Sequence, residues 1–353
     1  MMERLSEKEW KPVSLGEVYN NYHGKRLTKE KRISGTTPLL TAGESNNGVA
    51  EFISNANMPQ YSKFVSVDMF GNSFFHPYRA TGDDNIYFFE NLHLTAETKE
   101  FTCVSIEKQS CKFSYGKQFR QRNADSLKTM LPVTDSGEPD YAYMAEYVQQ
   151  KRAAMLDKYH KYVEARIAEL GEFVEIPMLD EKEWDEFFIG DLFEVSRPKS
   201  RNKDDYDFGN TPFVASGALN NGVMKCCDAK QDEQLDAGNC ITVSPVDGST
   251  FYQPMDFLGR GGAGSSILML RSDWLNLYLG QFIARTVRQT CSKYTYGHMG
   301  NKDSIKRERI MLPIDDSGEP DYEYMEQYAK NMMLRKYKQY LEFVNRQNVT
   351  EVD

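Results

Sequence analysis

The chain has 353 residues, with 43 Lys and Arg against 52 Asp and Glu, a net charge of −9 and six cysteines. That length accommodates about two ordinary domains with cores of their own, so no disulfide or metal staple is required. No stretch approaches the ~18 consecutive apolar residues of a membrane span, the charged N-terminus does not read as a secretory signal, and Cys103, Cys111, Cys226, Cys227, Cys240 and Cys291 form no zinc-type spacing.

A soluble cytoplasmic protein with reduced thiols and no membrane association is expected. In chain order, the first segment spans residues 10–19, is led by Trp10, contains Gly16 and reads as a short strand or helix. A basic loop follows, with Lys25, Arg26, Lys29, Lys31 and Arg32. Short β-type runs come next, at 38–42, 49–53, 64–67, 86–89 and 101–106, with Asn47-Gly48 as a tight-turn signal. An aromatic-basic stretch contains Lys112, Phe113, Tyr115, Gly116, Lys117, Arg120 and Arg122. Then Leu131-Pro132 leads to Asp135-Ser136-Gly137-Glu138-Pro139-Asp140-Tyr141. Beyond it Met144, Val148, Met155, Tyr159, Val163, Ile167 and Leu170 recur at helical steps, with Asp140 as the predicted N-cap and Gly171 as the stop.

The same parts then return. Trp184 and Gly190 lie 174 residues after Trp10 and Gly16, as do Thr211-Pro212 and Asn220-Asn221-Gly222 after Thr37-Pro38 and Asn46-Asn47-Gly48. The second basic loop holds Arg197, Lys199, Arg201 and Lys203, and β-type runs fall at 212–215, 241–243 and 267–270. Lys293, Tyr296 and Gly297 lie 181 residues after Lys112, Tyr115 and Gly116; on the same displacement Arg260 falls on Arg79, and Lys302 continues the basic stretch. Leu312-Pro313 and Asp316-Ser317-Gly318-Glu319-Pro320-Asp321-Tyr322 precede a second periodic segment, with Met325, Tyr328, Met332, Tyr337, Tyr340, Leu341 and Val344. These two segments show the only long helical periodicity. The spacing is far longer than the roughly 20–50 residues of solenoid repeats, so a whole domain is duplicated, and one function is performed at two places.

Each terminal helix of roughly 26–30 residues would run about 40–45 Å, longer than a small domain is wide. Such helices either pack on their own domains or pair with each other. Antiparallel pairing as a spacer is the expectation, with Tyr159, Tyr162, Tyr337 and Tyr340 forming an aromatic seam open to a partner subunit.

Catalytic chemistry is hard to find. Gly259-Arg260-Gly261-Gly262-Ala263-Gly264 matches G-x-G-x-x-G, but a strand-like run from 265 to 270 follows where a dinucleotide site needs a helix. His23, His76, His93, His160 and His298 do not superpose under the repeat. Asp135, Glu138 and Asp140, with Asp316, Glu319 and Asp321, precede helices, where acids cap and complement the dipole. What recurs is binding chemistry: basic loops for phosphates, with Arg, Gln, Asn and Ser to read base edges.

The layout resembles the specificity subunit of type I restriction-modification systems and the similar subunit of type IIB enzymes. The resemblance rests on the Trp-led start with Gly16 and Gly190, the Thr-Pro and Asn-Asn-Gly stretches, and Leu-Pro with Asp-Ser-Gly-Glu-Pro-Asp-Tyr before each helix. It implies an α+β fold with target-recognition domains at 1–140 and 183–321, spacer helices at 141–171 and 322–353, and a linker at 172–182. It further implies a non-catalytic chain that reads a bipartite, asymmetric double-stranded DNA target and docks methyltransferase and nuclease subunits. S-adenosylmethionine would sit in the methyltransferase, with no cofactor or metal in this chain. The expected DNA-binding residues are those of the basic loops and aromatic-basic stretches, with Arg79 and Arg260. A duplicated protein-interaction scaffold is the alternative, and a nuclease using the Pro-Asp carboxylates a third reading.

Overall fold

The computed structural model describes residues 4–350 apart from Ala263 and Ser265, with backbone alone at 347–350. Ala263, within the glycine-rich motif, Ser265, at the start of the run expected after it, and 351–353, the end of the expected second helix, therefore lie outside the described residues. The fold is α+β and divides into two compact units, Met1–Lys161 and Tyr162–Asp353, with the boundary inside the first long helix.

The duplication is visible strand for strand. In the first unit Trp10–Ser14 pairs antiparallel with Lys128–Pro132, Trp10 facing Pro132. In the second, Trp184–Phe188 pairs with Arg309–Pro313, Trp184 facing Pro313. Each copy is thus closed on itself just before its long helix. Each Trp indole donates to a carbonyl five residues back, Leu5 at 3.0 Å and Leu179 at 2.9 Å, which satisfies the one polar group of an otherwise apolar anchor.

The first unit carries a six-stranded sheet in the order Asn20–His23, Ile86–Glu90, Tyr61–Asp68, Ser73–Gly82, Ser34–Leu40, Val49–Ile53. Its pairs are antiparallel except where Leu39 and Leu40 run parallel to Thr81 and Gly82. In the second unit the equivalent strands form two sheets. Glu194–Ser196, Leu268–Arg271, Cys240–Val243 and Thr250–Gln253 make one; Val223–Cys227, Phe208–Val214 and Leu258–Gly259 make the other. The split falls where the counterpart of the long strand Ser73–Gly82 is interrupted, between Gln253 and Leu258.

This register corrects one sequence pairing. Val214 faces Gly259 as Leu40 faces Gly82, so Gly259 is the counterpart of Gly82. Arg79 lies inside its strand, before that glycine, whereas Arg260 comes after its own, so the two are not equivalent.

A second correction concerns helices. The run 101–106 is not a strand; it lies within the helix Ala96–Glu107, where Thr95 Oγ1 accepts from Thr98 N at 3.2 Å. Its counterpart is the helix Leu277–Cys291, capped by Asn276 Oδ1, which accepts from Tyr278 and Leu279 at 2.9 and 3.0 Å. That helix buries Leu279, Ile283, Ala284, Val287 and Cys291 against the four-stranded sheet. The terminal helices are therefore not the only periodic ones.

The long helices are Tyr141–Leu170 and Tyr322–Thr350. Asp140 and Asp321 cap them, accepting from Tyr143 N at 3.0 Å and Tyr324 N at 2.9 Å. Gly171, at φ +75°, ends the first in the left-handed conformation that favours glycine. Within the second unit, Tyr162 and Tyr337 stack edge-on with their hydroxyls 3.5 Å apart. Further along, Val174 and Asn331 exchange hydrogen bonds of 3.2 and 2.6 Å, Tyr324 donates to Pro177 O at 3.0 Å, and Lys182 pairs with Asp321 at 2.7 Å. Residues 162–182 thus descend along the second helix as that helix ascends: over this stretch the chain runs antiparallel to it. No helix among the described residues is long and apolar enough to cross a membrane.

Candidate nucleic-acid interface

The expected contact residues gather on two elements in each copy. The first is the basic loop. Lys25 N donates to Gly82 O at 3.0 Å, its Nζ reaches Asn57 O at 3.0 Å, and Arg26 lies 3.5 Å from Asp84 with its side chain 75% exposed. Lys29 and Lys31 are exposed on a single helical turn. In the second copy Ser200 pairs with Gly261, and a Cβ on Gly261 would lie 2.1 Å from Lys199 O. The backbones touch because that position is glycine, which brings the basic loop and the turn carrying Arg260 together. Arg197, Lys199 and Lys203 are exposed; Lys199 lies 3.5 Å from Gln234 Oε1, and Lys203 lies 3.3 Å from Asp204.

Two arginines of these loops point inward instead. Arg32 bonds Glu51 at 2.6 Å and Leu27 O at 3.3 Å and lies 3.8 Å from Asp83. Arg201, whose side chain is 3% exposed, bonds Glu233 at 2.7 Å, Asp236 at 2.6 Å, Gln234 O at 2.7 Å and Gly259 O at 3.2 Å. Burial opposes the charge of Glu233, yet its bonds from Arg201 and Tyr206 hold it below the usual carboxylate range. A guanidinium so enclosed ties the loop down and has no face left for a phosphate. Both residues leave the set of direct contacts.

The second element is a tight hairpin. Ser114 and Lys117 exchange backbone bonds of 3.1 and 3.0 Å around Tyr115-Gly116; Thr295 and His298 do so at 3.2 and 2.9 Å around Tyr296-Gly297. Lys112, Lys117, Arg120 and Arg122 are exposed beside the first, with Arg120 bonded to Gln118. Lys293, paired with Glu308 at 2.5 Å, and exposed Lys302 flank the second. Arg79 stands apart, exposed on the sheet strand opposite Ser62. On the long helices Tyr159 and Tyr162 are 44% and 50% exposed, while Tyr337 and Tyr340 are half-buried.

The repeated acids have structural work. They lie in a turn that Asp315, which stands where the first copy has Thr134, ties together: its Oδ1 accepts from Ser317 N, Ser317 Oγ and Glu319 N at 2.8, 2.6 and 3.2 Å. Lys8 pairs with Asp140 at 3.0 Å and lies over the Tyr143 ring, as Lys182 does with Asp321 and Tyr324. Among the described residues no cluster of three or more His, Cys, Asp and Glu has the arrangement of a metal site. After Gly259 the next element is the strand Leu268–Arg271, which excludes a dinucleotide turn.

A groove of about 830 Å³ in the second unit, lined by Trp184, Phe282, Met311, Tyr328 and Met332 among others, has no signature in the sequence pattern. It lies on the helix Leu277–Cys291, whose periodicity had gone unrecognised. At the matching place of the first unit Arg152 ties Glu97 and Glu100 at 3.4 and 2.7 Å.

Comparison with known proteins matches the family described as "Type I restriction modification DNA specificity domain" to residues 7–171 and again to 181–342. A curated relative from Heyndrickxia coagulans, the S.BcgI specificity subunit of a type II restriction enzyme, is 26% identical over 328 residues, covering 90% of this chain and 93% of its own length. Among solved structures, a type I restriction-modification S subunit from M. genitalium aligns over 99% of this chain and 94% of its own, with 11% identity and a TM-score of 0.45. The HsdS subunit from Thermoanaerobacter tengcongensis aligns over 96% of this chain and 91% of its own, with 15% identity and a TM-score of 0.31.

Proposed function

The chain belongs to the type I restriction-modification DNA specificity family, in two tandem copies, and from that premise we propose how it selects its target. It is a specificity subunit and not a catalytic one. Each copy reads one half of a split double-stranded target, and because the loops of the two copies differ, the half-sites differ and the target is asymmetric. Lys25, Arg26, Lys29 and Lys31 in the first copy, and Arg197, Lys199 and Lys203 in the second, neutralise phosphates. Their contribution falls steeply with salt. Bases are read by other side chains, including Arg79, exposed on its strand, and Arg260 in the turn against the second basic loop, at roughly 1–3 kcal/mol per good contact.

Methyltransferase and nuclease subunits dock on the long helices, through Tyr159 in the first unit and Tyr162, Tyr337 and Tyr340 in the second, and S-adenosylmethionine belongs to the methyltransferase. The helices set the distance between half-sites. The net charge of −9 assigns part of the positive channel to those partners. The observation that supports this reading most is a basic loop at the same place in both copies, packed at Gly82 in the first and just beyond Gly259, its counterpart, in the second.

The test is methylome sequencing of cells with and without this chain, beside mobility shift of the assembled complex at several salt concentrations. A bipartite motif that vanishes with the chain, and binding that weakens with salt, are expected. Salt-independent binding, or no lost motif, refutes the reading.

A further inference from the structure

The two hairpin tyrosines are alike in every respect that distinguishes the other loops. Tyr115 and Tyr296 are each 82% exposed, far out for side chains that gain most from burial. Both stand at the tip of a two-residue turn whose next residue is glycine, and a Cβ on Gly116 or Gly297 would meet nothing within 4 Å. Both hairpins are pinned to the same turn of the sheet. Phe119 N donates to Met69 O at 2.9 Å, and Gly300 N donates to Pro245 O at 3.0 Å. Behind each pin a glycine lets the backbones meet: Gly71 beside Ser110 and Gly248 beside Cys291, both at positive φ. The tip is therefore held from its base, and exposed cations lie near it along the chain: Lys112, Lys117 and Arg122 in one copy, and Lys302, Lys306 and Arg307, on and just after the helix that follows, in the other.

The two basic loops, by contrast, differ in sequence and in how they are tied. Two half-sites of an asymmetric target share no base sequence; they share the sugar–phosphate backbone. A probe kept identical in both copies fits what the half-sites have in common.

We propose that Tyr115 and Tyr296 make the base-independent contact of each recognition domain, the phenol ring packing on a deoxyribose and its hydroxyl donating to a phosphate oxygen. This rests on the DNA-reading function above. Because the contact is uncharged, it adds affinity without adding to the salt dependence, which belongs to the lysines and arginines.

The experiment uses the assembled complex carrying Tyr115→Ala, Tyr296→Ala or both, with Tyr→Phe and Lys117→Ala for comparison. Affinity is measured for the motif-bearing duplex and for a scrambled duplex across a salt series. Each Tyr→Ala should weaken binding to both duplexes alike, by about 5- to 10-fold, and Tyr→Phe by less. The slope of log affinity against log salt should stay at its wild-type value, whereas Lys117→Ala should reduce it by about 0.9. The methylated motif should be unchanged. A relaxed base in one half-site would make these tyrosines base readers and overturn the proposal. Unaltered DNA affinity with weakened methyltransferase capture would make them partner contacts and overturn it equally. A wild-type complex that prefers no sequence would instead defeat the function on which the proposal rests.

Discussion

His76 offers a test in which one copy supplies the control for the other. It is fully buried on the strand Ser73–Gly82, its Nε2 2.8 Å from Ser66 Oγ, its Nδ1 3.1 Å from the Tyr78 hydroxyl and its ring stacked on Phe64. Burial pushes the imidazole from its usual 6.5 down to about 4. In the native state it is therefore neutral across a range where the unfolded chain takes up a proton. Stability is complete above about pH 6.5, falls as the pH drops, and the loss is finished near pH 4, amounting to roughly 3 kcal/mol at about 1.4 kcal/mol per pH unit. The second copy solves the same packing problem without an ionisable group. Gln253 takes the place of His76, and its amide donates to Thr242 Oγ1 at 3.0 Å, where the first copy has Ser66. His76→Gln should keep the cross-strand bond and remove the pH dependence. Amide hydrogen exchange of the strands Tyr61–Asp68 and Ser73–Gly82, followed from about pH 7 to pH 4, reads the first unit alone and reports its free energy of opening. Wild type should lose roughly 3 kcal/mol more than the variant over that range. A gap between the two proteins that does not change with pH would refute the reasoning.

Arg201→Ala should cost about 1–3 kcal/mol, because it leaves Glu233 and Asp236, 17% and 13% exposed, without their cation; denaturant unfolding measures this, and undiminished stability beside lost DNA binding would make Arg201 a contact residue after all. Gly280→Ala would place a Cβ 2.1 Å from the Tyr252 ring. Overpacking of about 1–3 kcal/mol should exceed the helix-propensity gain of about 1 kcal/mol, so a melting temperature at or above the parent's would contradict the packing. Inserting one heptad into Tyr141–Leu170 adds about 10 Å at 1.5 Å per residue, or roughly three base pairs at 3.4 Å each. The methylated motif should gain spacer length with both half-sites intact; altered half-sites would remove the helix from the role of ruler.

How far the sequence could be read follows the range of the forces involved. Caps, turn glycines and the Asn-Gly turns are local chemistry, so Asp140, Asp321 and Gly171 were placed from neighbours alone. The run 101–106 reads as a strand from sequence, although it lies inside the helix Ala96–Glu107. A run that short fits both periods until packing chooses. The pairing of Arg79 with Arg260 failed because displacement alone does not say where a loop gained its residues; strand register does. No composition rule separates Arg201 from Lys199, two residues away, since one is buried and the other exposed only through Glu233 and Asp236, which arrive from more than thirty positions later.

That last difference shows what the duplication preserves. Arg32 and Arg201 do not correspond: 174 residues after Arg32 stands Tyr206, and 174 before Arg201 stands Leu27. Yet each is the half-buried or buried arginine that ties a basic loop to acids elsewhere in its own unit, Glu51 and Asp83 in one, Glu233 and Asp236 in the other. The tie has been kept while the residues making it have changed. An ordered loop loses less conformational freedom when it meets a ligand, so more of its contact energy reaches binding. A loop anchored from inside is also free to vary on its outer face. Lys25 and Lys29 recur as Lys199 and Lys203, while Arg26 and Lys31 give way to Ser200 and Asp205, so two copies of one domain can keep an anchored basic loop and still present different outer faces to two different half-sites.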